Sequence, residues 1–504
     1  MHKFRATFNW ILRISIVAYI IRWGIIQLRR VLLLPTRHST VPITPFDVKP
    51  GIRRVVISDL HLGGGDRLDD FESDAELAAF FRYYAVMDEP VELILAGDIF
   101  EFLQVRVPNI GDYEWSEEAS RRRLLIMLSA HPEPVAALRE FVGHTDNQLT
   151  ILIGNHDFEL HYAAAKTAFR QACGLSDDDE RIRFGITYEG GGVYLEHGNQ
   201  FDPWNRFVHF EGISEPFEVV RGTRLMKDVI NVLEDDSLEF APLIDNVKPS
   251  SVLYWYVLSM SRLRRPEVRR FVIRALLLMF RSVALPLTYR KRPVLEVREE
   301  LLGAPGETLQ REMALQAVYE ADEELRQAAA TNYGGIEPEV QLRQRVKVPA
   351  ALIQTITRRF GRNNEPPEQV LHRIEREAEI QMQREITEFK GAVLRSMARI
   401  AAGPRYGHNR LFVCGHTHGA QIVPLNDRQT YINTGTWTKI VRDIVTMQYD
   451  SRRFPFLDIH YPGGPAEPEG RLLLWQGGEL PPTPWSETEE IEHATPETQA
   501  SGMA

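Results

Sequence analysis

Apolar positions along the chain cluster into short runs rich in Val, Ile and Leu. They are Val55–Ile57, Leu93–Ala96, Leu149–Ile153, Val193–Leu195, Leu411–Val413 and Tyr431–Ile432. Runs this short, bounded by polar or glycine positions, read as buried strands. Helical spacing fills the gaps between the first three, at Asp74–Val86 and Glu117–Phe141. The second helix is expected to break near Pro132 and Pro134, because proline supplies no N–H to the helical ladder. Strand, helix, strand, helix, strand is the sequence form of a layered α/β domain.

That rhythm stops between Asn205 and about Arg405. Arg311–Ala330 and Glu368–Ala402 there carry apolar positions at helical spacing with charged faces. The stretch therefore reads as a large, mainly helical insertion interrupting the α/β domain. After Gly470 the chain becomes rich in Pro, Thr and Glu, a composition that disfavours a packed core. The expected organisation is an N-terminal basic apolar segment (1–50), a first domain half (51–205), a helical insertion or cap (206–405), a second domain half (406–468) and a disordered tail (469–504).

Composition changes this picture in one respect. With 504 residues, 44% hydrophobic and 25% charged, the chain is globular, and its net charge of -10 argues against a general nucleic-acid binder. The charge is segregated, however. Met1–Arg54 and Ser251–Arg292 each hold ten Lys or Arg against a single acidic residue, so the remainder is strongly acidic. Phe8–Leu28 approaches the length of a bilayer span but contains Arg13 and Arg22. Each such Arg costs about 2.5–3.5 kcal/mol near the centre of a spanning helix. Interfacial anchoring is the leading expectation, with a true span or docking on the protein's own core as alternatives. No cleavage site of secretory type follows. In the insertion, Arg270, Arg274 and Arg281 share one helix face, with Phe271, Ile273, Leu276, Leu277 and Phe280 covering much of the remainder. Such a helix can lie among lipid headgroups, or can be an Arg-edged packing helix of the cap. The two cysteines, Cys173 and Cys414, make neither a disulfide framework nor a zinc pattern and read as small core residues.

Five polar motifs follow the strand runs in order: Ser58-Asp59-Leu60-His61, Gly97-Asp98, Gly154-Asn155-His156-Asp157, Glu196-His197-Gly198 and Gly415-His416-Thr417-His418. Taken singly, each could be a turn or a solvated pair. Together, and each placed after a strand, they collect the carboxylate oxygens and imidazole nitrogens that divalent metals accept. Asp59 and His61 alternate by two, so an extended backbone would point both the same way, and His416 and His418 repeat that spacing. His131, His144, His161, His209, His372, His408 and His460 have no such context.

This set resembles the calcineurin-like metallophosphoesterase superfamily over about Arg53–Asn205 and Leu411–Trp437. The resemblance implies a β-sandwich flanked by helices and two divalent metal ions, of Mn, Fe or Zn type. One ion would take Asp59, His61, Asp98 and His418, and the other Asp98, Asn155, His197 and His416. Two such cations clamp a phosphate and generate hydroxide from water for in-line attack. His156 would protonate or stabilise the leaving group, with Asp157 as its orienting partner. Ser58–Gly63, Gly97–Glu101 and His197-Gly198-Asn199 are similar to bacterial UDP-2,3-diacylglucosamine pyrophosphohydrolases, which cleave a lipid-linked diphosphate. This chain departs from that branch in carrying His156 where the branch has Arg, and in its greater length. The serine/threonine phosphatase branch fits less well, because Ile99-Phe100-Glu101 follows Asp98 where that branch continues Asp-Arg-Gly. The expected protein is a membrane-associated phosphoester hydrolase with its catalytic domain in the cytoplasm, acting on a lipid- or nucleotide-linked phosphoester. A nuclease of the same superfamily and a non-catalytic membrane scaffold are the alternatives.

The two basic apolar segments yield a direct expectation. The intact protein should co-sediment with anionic vesicles at low salt, since each basic residue near such a surface contributes about 1 kcal/mol within a Debye length. Replacing Arg270, Arg274 and Arg281 with Glu should weaken that binding. Protein left in the supernatant would show both segments to be internal packing helices.

Overall fold

The computed structural model describes residues 51–234, 393–439 and 454–486 apart from single positions, together with Lys49, strand segments Thr36–Arg37, Val441–Asp443 and Gln448–Tyr449, and residues 274, 278 and 391. Met1–Leu34, most of the Arg270–Arg281 helix and most of the insertion lie outside the described residues, as do residues 487–504. Among the described residues, no helix is long and apolar enough to cross a membrane.

Two sheets form the domain. The first takes β1 (Arg53–Ile57), β2 (Val91–Ala96), β3 (Gln148–Leu152) and β4 (Ile182–Gly185), paired in parallel in that order. The second is built on β5 (Thr187–Gly190), β6 (Val193–Glu196), β7 (Leu411–Cys414), β8 (Gln421–Asn426) and β9 (Gln429–Asn433), in the order β8-β9-β7-β6-β5. Strand β6 pairs in parallel with β7, Val193 opposite Leu411, although some two hundred residues of chain separate them. That pairing brings the Gly415–His418 motif to the other four.

Alternation along the strands sorts side chains between layers. Val56, Ile94, Ala96 and Leu152 of the first sheet meet Val193, Leu195, Val413 and Ile432 of the second. Val55, Ile57, Leu93, Leu95, Leu149 and Ile151 face the other way, into a core with helices α1 (Asp74–Ala85), α2 (Glu117–Ala130), α3 (Pro132–Gly143) and α4 (Ala163–Ala172). The outer face of the second sheet packs Tyr194, Phe412 and Tyr431 on Val393, Leu394 and Met397 of a helix at 393–402. The expected α/β sandwich with flanking helices is what forms. Between the sheets, Arg54 is fully buried and bonds Glu92 at 3.1 Å, while Thr150 and Tyr188 donate to the same carboxylate. Removing one member of such a knot costs about 3–5 kcal/mol, because it leaves an uncompensated buried charge.

Two boundaries differ from expectation. The chain after 468 is ordered as far as 486: β10 (Pro455–His460) pairs antiparallel with β11 (Glu469–Leu474), and β11 with β12 (Thr483–Pro484), extending the first sheet beyond β1. Strand pairing with β10 and burial of Leu472 and Leu474 override a locally polar composition. The first half also continues past 205, since Phe207, Phe210 and Val220 belong to the helix-covered core.

The break between α2 and α3 falls where Pro132 begins the second helix, and His131 caps the junction. Its imidazole bridges Asp69 at 3.0 Å and Asp74 at 2.7 Å. Burial lowers the affinity of His131 for its proton, but the two carboxylates outweigh it and raise the pKa to about 9. The ordinary value of about 6.5 applies once the chain unfolds. The stabilisation is therefore complete below about pH 6.5 and disappears as pH rises through about 9. His131→Gln should cost on the order of 3 kcal/mol at pH 6. Thermal melting of the two proteins should converge by pH 9 to 10, and a penalty independent of pH would refute the charged bridge.

Candidate metal centre

The site lies where the carboxyl ends of β1, β2 and β3 in one sheet meet those of β6 and β7 in the other. The expectation of extended backbone at Asp59, His61, His416 and His418 does not hold. These residues have φ of 53°, 51°, 68° and 58°, and Asp98 has 52°. A left-handed conformation costs about 1–2 kcal/mol for a residue bearing a Cβ. It persists here because neighbouring loops fix the backbone: Asp59 N donates to Gly97 O, His61 N to Asp98 O and Leu62 N to Ile99 O, all within 3.0 Å. Two glycines permit the close approach. A Cβ on Gly154 would fall 2.2 Å from Asp98 Oδ1, and one on Gly415 would fall 2.2 Å from Asp59 Oδ2. With those atoms absent, His156 N donates to Asp98 Oδ1 at 2.8 Å and His416 N to Asp59 at 3.0 Å.

Six of the seven residues expected to bind metal fall into two groups. Asp59, His61 and His418 form one group able to hold an ion; Asp98, His197 and His416 form another. In the first, His418 Nε2 is 3.4 Å from Asp59 Oδ1 and 3.2 Å from His61 Nε2. In the second, His197 Nε2 lies 3.0 Å from Asp98 Oδ2. The Nδ1–H of His197 donates to Ala96 O at 3.0 Å, which aims Nε2 at the carboxylate. His416 Nε2 is 3.2 Å from Asp202 Oδ2. Asn155 is buried beside them, and its Oδ1 accepts no hydrogen bond from the described residues. A buried acceptor left unmet costs about 1–3 kcal/mol, which a cation ligated there would offset. Carboxylate, amide oxygen and imidazole together make a donor set that fits a divalent metal.

His156 sits at the rim, its side chain 17% exposed. The expected partnership with Asp157 gives way to another. Both Asp157 oxygens accept backbone N–H groups, from Ile99 at 2.9 Å and Gly154 at 2.5 Å, so its carboxylate fixes the loops instead. The carboxylate that meets His156 belongs to Glu101, whose Oε2 is 2.5 Å from His156 Nδ1 and 2.8 Å from His61 Nδ1. Glu101 thus backs His61 and the rim histidine at once. Sequence reasoning assigned it no role, although it stands three residues after Asp98. Asp202 was also missed; only its proximity to the His197 motif hinted at it.

The electrostatics follow from burial. Asp59 is raised, first by burial and then by the nearby Asp98 charge. Asp98 would also rise on burial, but the His197 and His156 rings hold it well below the usual range. Burial and Asp98 push Asp157 up to about 7. Glu101, despite its burial, is held at about 2 by His156 and His61. Burial alone would lower His197; the Asp98 carboxylate instead raises it to about 9.

Residues 52–250 match the family model of the calcineurin-like phosphoesterases. The chain carries a calcineurin-like phosphoesterase domain. No curated protein matches it. The matched stretch includes Asp59 to His197, and the fold supplies His416 and His418 from beyond it. This phosphoesterase domain makes the chain a phosphoester-hydrolysing, metal-dependent enzyme.

At neutral pH the metal-free phosphoesterase holds a proton on His197, which must leave before Nε2 can ligate. Metal loading at pH 7 should therefore release a proton, visible as a buffer-dependent enthalpy in titration calorimetry. Affinity should rise with pH until about pH 9. Loading without proton release would show that His197 is not a ligand.

Proposed function

We propose that the chain is a binuclear, membrane-associated metallophosphoesterase that hydrolyses a phosphate diester or diphosphate bond in a lipid- or nucleotide-linked substrate. The observation that carries this reading is the meeting of two metal-competent groups, each with one buried carboxylate and two imidazoles, beside a histidine at the rim. One ion is assigned to Asp59, His61, Asp98 and His418, and the other to Asp98, Asn155, His197 and His416, with Asp98 shared. When bound, the ions supply charge stabilisation to the phosphate oxygens and a nucleophile at neutral pH.

The chain's own residues account for the other half of the reaction. The Glu101 carboxylate accepts a hydrogen bond from His156 Nδ1 and orients the ring, so that a His156 acting as acid would donate from Nε2. The Nε2–H is then the proton to be transferred to the departing oxygen. The 17% exposure of His156 leaves it within reach of a substrate that the buried ligands would hold by its phosphate. Membrane association rests on the basic apolar segments Met1–Leu34 and Ser251–Arg292, which apart from residues 274 and 278 lie outside the described residues, and on the affinity of such segments for anionic lipid.

A metal-reconstituted screen of nucleotide-diphospho-lipids, phospholipids, cyclic nucleotides and DNA tests the substrate class, and metal analysis of the same preparation tests for two ions per chain. His156→Ala should retain its metal yet slow hydrolysis of alkyl esters by about 10²–10⁴-fold, the usual worth of general acid catalysis. The loss should shrink for nitrophenyl esters, whose leaving group needs little protonation. An equal loss across leaving groups would remove His156 from the role of acid.

A further inference from the structure

The loop leaving the second histidine group carries Arg206, and a segment clamped to that loop carries Arg221; the reaction as described uses neither. Asp202, in contact with His416 at 3.2 Å, also accepts Trp204 N at 2.8 Å and Asn205 Nδ2 at 2.7 Å. Asn199 Nδ2 donates to Asn205 O, and Gln200 exchanges two hydrogen bonds with the backbone of Phe207. Residues 199–202 and 204–207 are therefore fixed relative to His416. A second segment is clamped to this loop. Gly222 N donates to Trp204 O at 2.8 Å, and a Cβ on Gly222 would fall 1.7 Å from Asn205 Oδ1, so only glycine permits the contact. That clamp places the Arg221 guanidinium 6.0 Å from the Trp204 ring centroid and near Arg206.

We propose that Arg206 and Arg221, with Trp204 beside them, form a subsite for a second phosphate carried by the substrate. It rests on the metallophosphoesterase reading above, and narrows the substrate class to esters bearing two phosphates. Three observations support it. Burial and the Arg221 charge both depress Arg206, so the two guanidinium groups share a positive field on a partly buried shelf. Arginine stays charged in such a place, and its planar fork suits phosphate oxygens. Trp204 is 46% exposed, large for an indole on a braced loop, and offers a flat face for the group that joins the phosphates. The shelf is also tied to the metal centre: four residues of chain separate Arg206 from the Asp202 that contacts His416, a reach of about 14 Å at most.

The test compares two p-nitrophenyl esters of thymidine 5′-phosphate, one with and one without a 3′-phosphate, so that the scissile bond is the same. The metal-loaded full-length protein should favour the bis-phosphate by about tenfold or more in kcat/KM, the worth of one or two charged hydrogen bonds. Arg206→Gln and Arg221→Gln should each reduce that preference through KM, and the double variant R206Q/R221Q should abolish it. Arg206→Lys and Arg221→Lys, which keep the charge and lose the fork, should fall between. Metal content and melting temperature, measured on every variant, confirm an intact site. A wild-type enzyme that turns over both esters equally overturns the subsite and leaves the hydrolase standing. So does a preference that survives in the folded double variant. A wild-type protein without metal-dependent turnover of either ester overturns the hydrolase reading, and the subsite with it.

Discussion

Asp59 and Asp98 bury two carboxylates in one pocket, at 0% and 1% exposure, and the surrounding structure compensates for their charge. Taking a carboxylate out of water costs several kcal/mol, and a second of the same sign nearby adds to it. The cost appears directly in the upward pressure on Asp59. Backbone N–H groups answer part of it, from His156 on Asp98 and from His416 on Asp59. Those donors can arrive only because Gly154 and Gly415 carry no side chain. The imidazoles answer the rest, with the Asp98 carboxylate holding a proton on His197. Affinity for cations is thus the consequence of how the pocket is made.

The sandwich supplies the rigidity that such compensation needs. Parallel pairing of β1 with β2 sends both chains out at the same edge, where their loops zip together from Asp59–Gly97 to Leu62–Ile99. Parallel pairing of β6 with β7 does the same in the second sheet, and Gly415 N then donates to His197 O. The two edges face each other across the core of Val56, Ile94, Leu195 and Val413. Left-handed backbone at Asp59, His61, Asp98, His416 and His418 is tolerable because these contacts leave the loops no alternative path.

Local pattern made the central strands legible. Val55–Ile57, Leu93–Ala96 and Leu149–Ile153 are apolar on both faces, since helices cover one and the second sheet the other. The proline pair after Ala130 likewise marked the break between α2 and α3. The strands that escaped notice, β4, β5, β8, β10, β11 and β12, carry polar residues within the run or sit near an edge, and only their pairing partners define them. At the site, residue types and order showed which side chains would meet, because the ligand chemistry is local to each motif. Hydrogen-bond direction was not local. Asp157, adjacent to His156 in sequence, is drawn away by two backbone N–H groups, and Glu101, fifty-five positions distant, takes its place.

Glu101 also explains why the chain could not be divided at 205. Its Oε1 accepts Leu103 N at 3.2 Å, and Leu103 O in turn accepts Lys227 Nζ at 3.0 Å and Asn231 Nδ2 at 2.9 Å. Gln104 bonds Glu234 at 2.9 Å. Lys227 is nearly buried, and burial lowers it to about 8, so its ammonium is held in place at some cost. It occupies a π-helical turn, Met226–Ile230, a geometry that re-aims side chains within a helix. The first helical segment of the insertion is therefore wired to the carboxylate that serves both His61 and His156. One oxygen of Glu101 meets both imidazoles, so the orientations of His61 and His156 are not independently adjustable. A displacement of the 221–234 segment would reach both through Leu103, which places the start of the insertion inside the catalytic unit.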